Sequence, residues 1–329
     1  MKLSILNLVP LREGQDYRQA IEAMVSLAKL AESLGVERYW IAEHHNMPNL
    51  ASSATQLLIQ HTLANTSTLK VGSGGVMLPN HAPYLVAEQY GTLATLYPGR
   101  VQLGLGRAPG TDMRTARALR RGAIHPEFMD DLLELRGYFE NTNPVSAYPA
   151  AGLEIPFYIL GSSTDSAYLA AELGLPYAFA SHFAPEMMEE AVAIYRRLFK
   201  PSKHLEKPYV ILGANAILAD THEQAQQLAT TYMLFALGIL RNARRKLHEP
   251  FASLEELWET FSVSPQEQAW LAQRSEYAFI GTPATVAFRL EQLQKQVEFD
   301  ELMAVSYIFD EEKQHYSYSL LKNVVDGLS

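Results

Sequence analysis

Glu43, His44 and His45 stand side by side just after the apolar run Arg38-Tyr39-Trp40-Ile41. An imidazole in such a place can move a proton near neutral pH, ligate a metal, or simply satisfy its own hydrogen bonds at a polar strand end. Helical zinc pairs need the H-E-x-x-H spacing, which is absent here. Vicinal histidines on an extended segment point to opposite faces, so this pair is not expected to share one ion. On local grounds the tripeptide leaves a structural histidine and a proton-transfer residue both open.

Further stretches carry chemical possibilities. Gly161-Ser162-Ser163-Thr164-Asp165-Ser166 precedes an apolar-periodic helix. Ser162 with Asp165, or Ser163 with Ser166, can cap that helix; the same free N–H groups and hydroxyls can seat a phosphate. Arg107 could add a bidentate guanidinium to such a seat. Residues 103–110, LGLGRAPG, space their glycines at 104, 106 and 110, which departs from the dinucleotide fingerprint G-x-G-x-x-G. These glycines fit close approach of a flat ligand to strand ends instead. Gly72, Gly74 and Gly75 open a loop that also holds His81, which has no obvious partner and reads as a surface residue. Arg114, Arg117, Arg120 and Arg121 form a local basic patch, either a solvated helix face or an anion entry surface.

The elements that must position these residues alternate. Strand patterns cover residues 2–9, 38–42, 69–74, 101–105, 156–160, 177–180, 209–218 and 302–307. Amphipathic helical stretches cover 17–34, 53–64, 84–96, 114–120, 127–139, 165–173 and 186–199. Repeated strand–helix units imply parallel strands with covering helices. Eight such units predict an α/β fold of the (β/α)8 TIM-barrel type, with a doubly wound open sheet as the alternative. Residues 222–280 read as a polar helical insertion after the seventh strand, and residues 1–329 as one domain. His44, Gly74-Gly75, Arg107, Ser162-Ser163 and Ser181-His182 then follow consecutive strands, on the barrel face where such folds place their chemistry.

Composition narrows the function classes. The chain has 329 residues, 48% hydrophobic and 19% charged, enough to bury a large core. A net charge of −9 argues against a nucleic-acid or anionic-membrane surface. The absence of cysteine excludes disulfides, thiolate catalysis and Cys-ligated metals, and suits a cytoplasmic setting. The first apolar run is too short for a secretion signal and reads as a buried strand; no stretch has the length and apolarity of a membrane span.

Several stretches together resemble the bacterial-luciferase-like flavin monooxygenases, most closely an uncharacterised subgroup similar to the luciferase alpha subunit. They are RYWIAEHHN, GSGGVMLPNHAP, LYPGRVQLGLGRAPG, ILGSSTDSAYLAAELGLPYAFASHFAP and GTPATVAFRLEQL, spread over essentially the whole chain. The resemblance implies a TIM barrel that binds FMN at the C-terminal strand ends, usually as a dimer. By position, Arg107, Ser162, Ser163 and Ser166 would hold the FMN phosphate, and Gly74-Gly75 would form a non-prolyl cis peptide beneath the flavin. His44 would be the catalytic proton-transfer residue, with no metal, leaving His45 structural. The implied reaction uses reduced FMN, delivered by a separate flavin reductase, and dioxygen to oxygenate a small organic substrate.

Departures from the family pattern matter. Gly106 stands where light-emitting alpha subunits carry a reactive cysteine, which weakens any case for bioluminescence. Ser162 replaces an acidic residue, removing a charge that would repel phosphate. Ser181-His182-Phe183 are expected to line the substrate pocket. Competing functions are an F420-dependent oxidoreductase of the same superfamily, a non-catalytic flavin-binding protein, and a metal hydrolase built on His44 and His45. The intact His44 and Arg107 speak against the second of these, and a lack of carboxylate–histidine clusters against the third.

Overall fold

The computed structural model describes residues 1–108, 111–120 and 128–328. Pro109, Gly110, Arg121 and Glu127, which took part in the expectations above, lie outside these residues.

The chain begins with β1 (Lys2–Asn7), α1 (Tyr17–Ser33), β2 (Tyr39–Ile41), α2 (Thr55–Ala64), β3 (Val71–Met77) and α3 (Pro83–Leu96). The next units are β4 (Val101–Gly106), α4 (Met113–Leu119), α5 (Phe128–Glu140), β5 (Phe157–Gly161), α6 (Thr164–Leu173), β6 (Tyr177–Phe179) and α7 (Met188–Leu198). The last third holds β7 (Val210–Leu218), α8 (His222–Leu240), α9 (Leu254–Thr260) and α10 (Pro265–Arg274). It closes with β8 (Phe279–Gly281), α11 (Pro283–Gln296), β9 (Glu301–Val305) and α12 (Glu311–Gly327).

All strand pairings are parallel. The order β6-β5-β4-β3-β2-β1-β9-β7, with β7 returning to β6, closes an eight-stranded α/β barrel. The open-sheet alternative is thereby excluded. Every residue of β4 and of β7 is buried, as expected for strands covered on both faces. Helix starts follow local chemistry: Asp16 with Gln19, and Ser264 with Glu267, form capping boxes for α1 and α10.

Two features depart from the expected pattern. The strand β3 does not end at its glycines but shifts register between Ser73 and Val76 and runs on to Met77. The Gly74–Gly75 peptide within that bulge is cis. A Cβ on Gly75 would lie 2.8 Å from the Gly104 carbonyl oxygen, and one on Gly104 only 2.2 Å from that of Ser73. Glycine on both strands is what lets β3 and β4 approach here.

The insertion between β7 and β9 is helical but not polar throughout. From Leu228 to Gly238 the helix α8 is buried along most of its surface. Those side chains join Leu6, Trp40, Ile211, Met303 and Tyr307 in a second apolar cluster, distinct from the layer between barrel and outer helices. A helix that is apolar nearly all round must be covered on all sides, and α8 is covered because it packs across the barrel mouth. The short strand β8 extends only the far end of β7, through Ala216–Phe279 to Leu218–Gly281.

At the opposite, N-terminal end the barrel interior is polar. Arg38 donates from Nε and Nη2 to the two carboxylate oxygens of Glu301, each at 2.9 Å, and also bonds Gln102 and the Tyr158 hydroxyl. Ser4 and Tyr209 donate to the same carboxylate at 2.5 and 2.7 Å. The buried charge is thus paired and hydrogen-bonded on every side.

Candidate active site

The C-terminal strand ends surround a cavity of about 990 Å3. Its wall includes all seven residues singled out as functional: His44, Gly74, Gly75, Arg107, Ser162, Ser163 and Ser166. They enter from β2 through the start of α6, as consecutive strands of a barrel require. Their individual settings differ from what type and spacing alone suggest.

Beyond β2 the chain leaves the extended conformation, so both His44 and His45 reach the cavity wall. The His44 backbone is fixed by its N–H to the Ser52 carbonyl at 3.0 Å. The expectation that no carboxylate–histidine cluster exists is overturned. Glu43, fully buried, accepts from His45 Nε2 at 2.8 Å and from His81 Nε2 at 2.7 Å, both on the same oxygen. Its ligand-type atoms lie within 4.8 Å of one another, yet both imidazole nitrogens are spent on the carboxylate. His81 is therefore not the partnerless surface residue expected; a short 3-10 turn at Leu78–Asn80 folds it back onto Glu43. Burial alone would raise the Glu43 pKa, but the hydrogen bonds from His45 and His81 outweigh it and hold the carboxyl below its ordinary value.

Ser163 occupies the N-cap position of α6 without using its side chain to cap the helix. Unlike an ordinary capping serine, it makes no side-chain bond to the helix N-terminus, and it lines the cavity. Ser166 is more committed: its hydroxyl donates to the Ser163 carbonyl at 2.7 Å and lies 3.0 Å from the Tyr177 hydroxyl. Arg107 is exposed and donates to Asp165 at 3.0 Å, so an acidic neighbour, not noticed in the sequence, already sits beside it. The basic patch divides: Arg114 and Arg117 are exposed on α4, while Arg120 pairs with the buried Asp131 at 2.7 and 3.1 Å.

Of the tripeptide 181–183, His182 and Phe183 line the cavity, whereas Ser181 turns its hydroxyl to the Gly213 carbonyl. His182 is half-buried, and its buried Nδ1 has no hydrogen-bond partner among the described residues. Burial, helped by Arg274 and His44, lowers its pKa to about 4, so the ring is neutral at physiological pH. The remaining wall comes from the insertion and was missed: Tyr232, Phe235 and Ile239 of α8, Arg274 at the end of α10, and Tyr307 after β9. Stacked rings join Phe235 to Tyr307 at 4.6 Å and Tyr232 to Tyr307 at 6.0 Å. The one sequence signal was the i, i+4 spacing of Trp270 and Arg274, which puts an aromatic and a cation on one helix face.

A family model described as luciferase-like monooxygenase matches residues 1–297. The chain belongs to this family. It is 45% identical over 331 residues to a luciferase-like monooxygenase of Escherichia coli strain K12, covering 99% of this chain and 97% of that protein. Among solved structures, apo-MsnO8 superposes with a TM-score of 0.89 at 33% identity, covering 99% of this chain and 97% of its own. The oxygenating component of a Pseudomonas putida 3,6-diketocamphane monooxygenase, solved in complex with FMN, shares the fold alone, with a TM-score of 0.75 at 16% identity. Its coverage is 99% of this chain and 97% of that one. Membership in this family supports an oxidoreductase of the monooxygenase type. Among the described residues, no helix is long and apolar enough to cross a membrane.

Proposed function

We propose that this chain is the oxygenating component of a two-component flavin monooxygenase, using reduced FMN and dioxygen to oxygenate a small organic substrate. The observation that carries this reading is the convergence of the cis Gly74–Gly75 peptide, Arg107, the uncommitted Ser163 side chain and His44 on one cavity of a luciferase-like barrel. These residues fit FMN. The α6 N-terminus presents free N–H groups and a serine hydroxyl, which suits a phosphate. Arg107 is exposed enough to exchange Asp165 for a phosphate oxygen. Ser166 serves by holding the Ser163 carbonyl, which fixes the loop. Gly74 and Gly75 offer bare backbone against which a flat ring can lie.

When bound, reduced FMN supplies the electrons that activate dioxygen. The chain's own residues position, exclude water and move protons. The aromatic wall from α8 and Tyr307 keeps the mouth apolar. His44 holds and releases a proton at its imidazole ring, beside a His182 ring that stays neutral. The Glu43–His45–His81 network anchors the segment that carries His44. A homodimer in the cytoplasm is in keeping with this reading.

The lack of a dinucleotide fingerprint implies that reducing equivalents arrive on flavin reduced elsewhere. With FMN and NADH or NADPH alone, the purified protein should not sustain oxygen consumption. Addition of an unrelated flavin reductase should start it. Sustained NAD(P)H oxidation by this chain alone would overturn the two-component assignment.

A further inference from the structure

Several cations in this protein are answered by anions. Arg38 has Glu301, Arg107 has Asp165, Arg120 has Asp131 and Arg241 has Glu267. On the cavity wall Arg244, Arg245 and Arg274 have no ion pair among the described residues, and Arg274 is the one that stands between two aromatic rings. It is partly buried, yet among the described residues it has no hydrogen-bond or ion-pair partner. Its neighbours are aromatic: the guanidinium carbon lies 4.7 Å from the Phe183 ring centre and 5.0 Å from that of Trp270.

Such cation–π contacts fix the position of a guanidinium but leave its five N–H donors unsatisfied. Glu186 adds a favourable field there, but among the described residues no carboxylate pairs with Arg274. His182 nearby is neutral and offers no compensating charge. Desolvation lowers the Arg274 pKa, as burial does for a cation with little compensating charge beside it. The same cavity wall carries the apolar and aromatic side chains of Phe235, Ile239, Met303 and Tyr307. The residues that suit a flavin phosphate, Arg107, Ser162 and Ser163, belong to β4, β5 and the start of α6, whereas Arg274 is supplied by the insertion.

We propose that Arg274 is the specificity residue of this cavity and that the substrate is an organic carboxylate with an apolar body. The carboxylate takes the guanidinium fork in a bidentate pair, and the apolar body lies along the α8 and Tyr307 wall toward His44. The inference rests on the flavin monooxygenase reading for the site it serves, but its test is separable from that reading.

The probes are decanoate and 4-phenylbutyrate, each beside its own primary amide. Calorimetry would measure their binding to wild type, Arg274→Gln and Arg274→Lys, with and without FMN. At least one acid should bind wild type tenfold or more tightly than its amide. Arg274→Gln should abolish that preference, and Arg274→Lys should keep part of it. FMN affinity should be unchanged in both variants. Equal binding of acid and amide, no binding of either acid, or unaltered acid binding by Arg274→Gln would each overturn the proposal. So would a loss of FMN affinity in Arg274→Gln, because it would assign the cation to the cofactor. Failure of wild type to bind FMN would strike the flavin reading instead, while the acid–amide comparison in FMN-free protein would still decide the anion site.

Discussion

His44 and Glu43 are neighbours in sequence with separate tasks, and each can be isolated by one substitution. His44→Ala removes a ring at the cavity wall without touching the proposed phosphate seat. FMN affinity should be retained, while oxygenation falls by about 10²–10⁴-fold, the usual contribution of a positioned acid or base. Oxygen consumed should then appear as hydrogen peroxide, measurable with a peroxidase-coupled dye; undiminished product formation would make His44 structural. Glu43 governs stability. Its folded pKa is depressed, so its contribution is complete above the unfolded value of about 4.3 and is lost as pH falls through the lower folded value. Glu43→Gln should therefore cost about 1–3 kcal/mol in urea unfolding at pH 6, and the gap to wild type should narrow toward pH 3. A gap that does not change with pH would mean the folded carboxyl is uncharged. Residue type and strand-end position made His44, Arg107 and the serines legible in sequence. The His81–Glu43 and Arg107–Asp165 pairs join residues 38 and 58 positions apart, and nothing local announces them.

The strand β3 and the insertion show how element-scale patterns succeed and fail. Alternating strand and helix signals placed the eight barrel strands to within a few residues, because buried parallel strands read as compact apolar runs. The glycines of β3 looked like a strand end, yet they are a bulge inside the strand. The difference has a testable form in β4. A Cβ at Gly104 would strike the Ser73 carbonyl oxygen at 2.2 Å, which backbone cannot evade, whereas at Gly106 it would meet the flexible Met77 Sδ at 3.1 Å. Gly104→Ala should lower stability by about 1–3 kcal/mol or more, and Gly106→Ala by much less, as read from thermal melts. Comparable melting points would refute the close approach of β3 and β4. The same clash reasoning applies to Gly74. Its Cβ would meet Leu6 Cδ1 at 2.6 Å and Trp40 Cβ at 3.0 Å, so Gly74→Val should harm folding as well as flavin binding. The insertion was visible as excess length after β7. Its role as the apolar roof was not, since the polar α9 and α10 mask the burial of α8.

The whole molecule divides its work between the two ends of one barrel. The N-terminal end holds the Arg38–Glu301 pair, sealed from solvent and separated from the cavity by Trp40, whose ring lies 5.9 Å from the guanidinium. Glu301→Gln removes the bidentate partner of a buried guanidinium, leaving it only Glu37 at 3.6 Å, and should cost up to about 3–5 kcal/mol in chemical denaturation, with FMN affinity unchanged in the folded fraction. A loss of FMN affinity there would mean that the two ends are coupled. The C-terminal end holds the proposed chemistry, and its central claim concerns the cofactor. FMN and F420 both carry a phosphate-bearing ribityl chain, so the α6 N-terminus and Arg107 do not by themselves discriminate between them. The most direct measurement is an anaerobic equilibrium titration of the purified protein with each cofactor, oxidised and reduced. The account predicts that FMN binds, more tightly when reduced, and that Arg107→Ala weakens it by about 1.5–3 kcal/mol. Binding of F420, with no binding of FMN in either redox state, would contradict it.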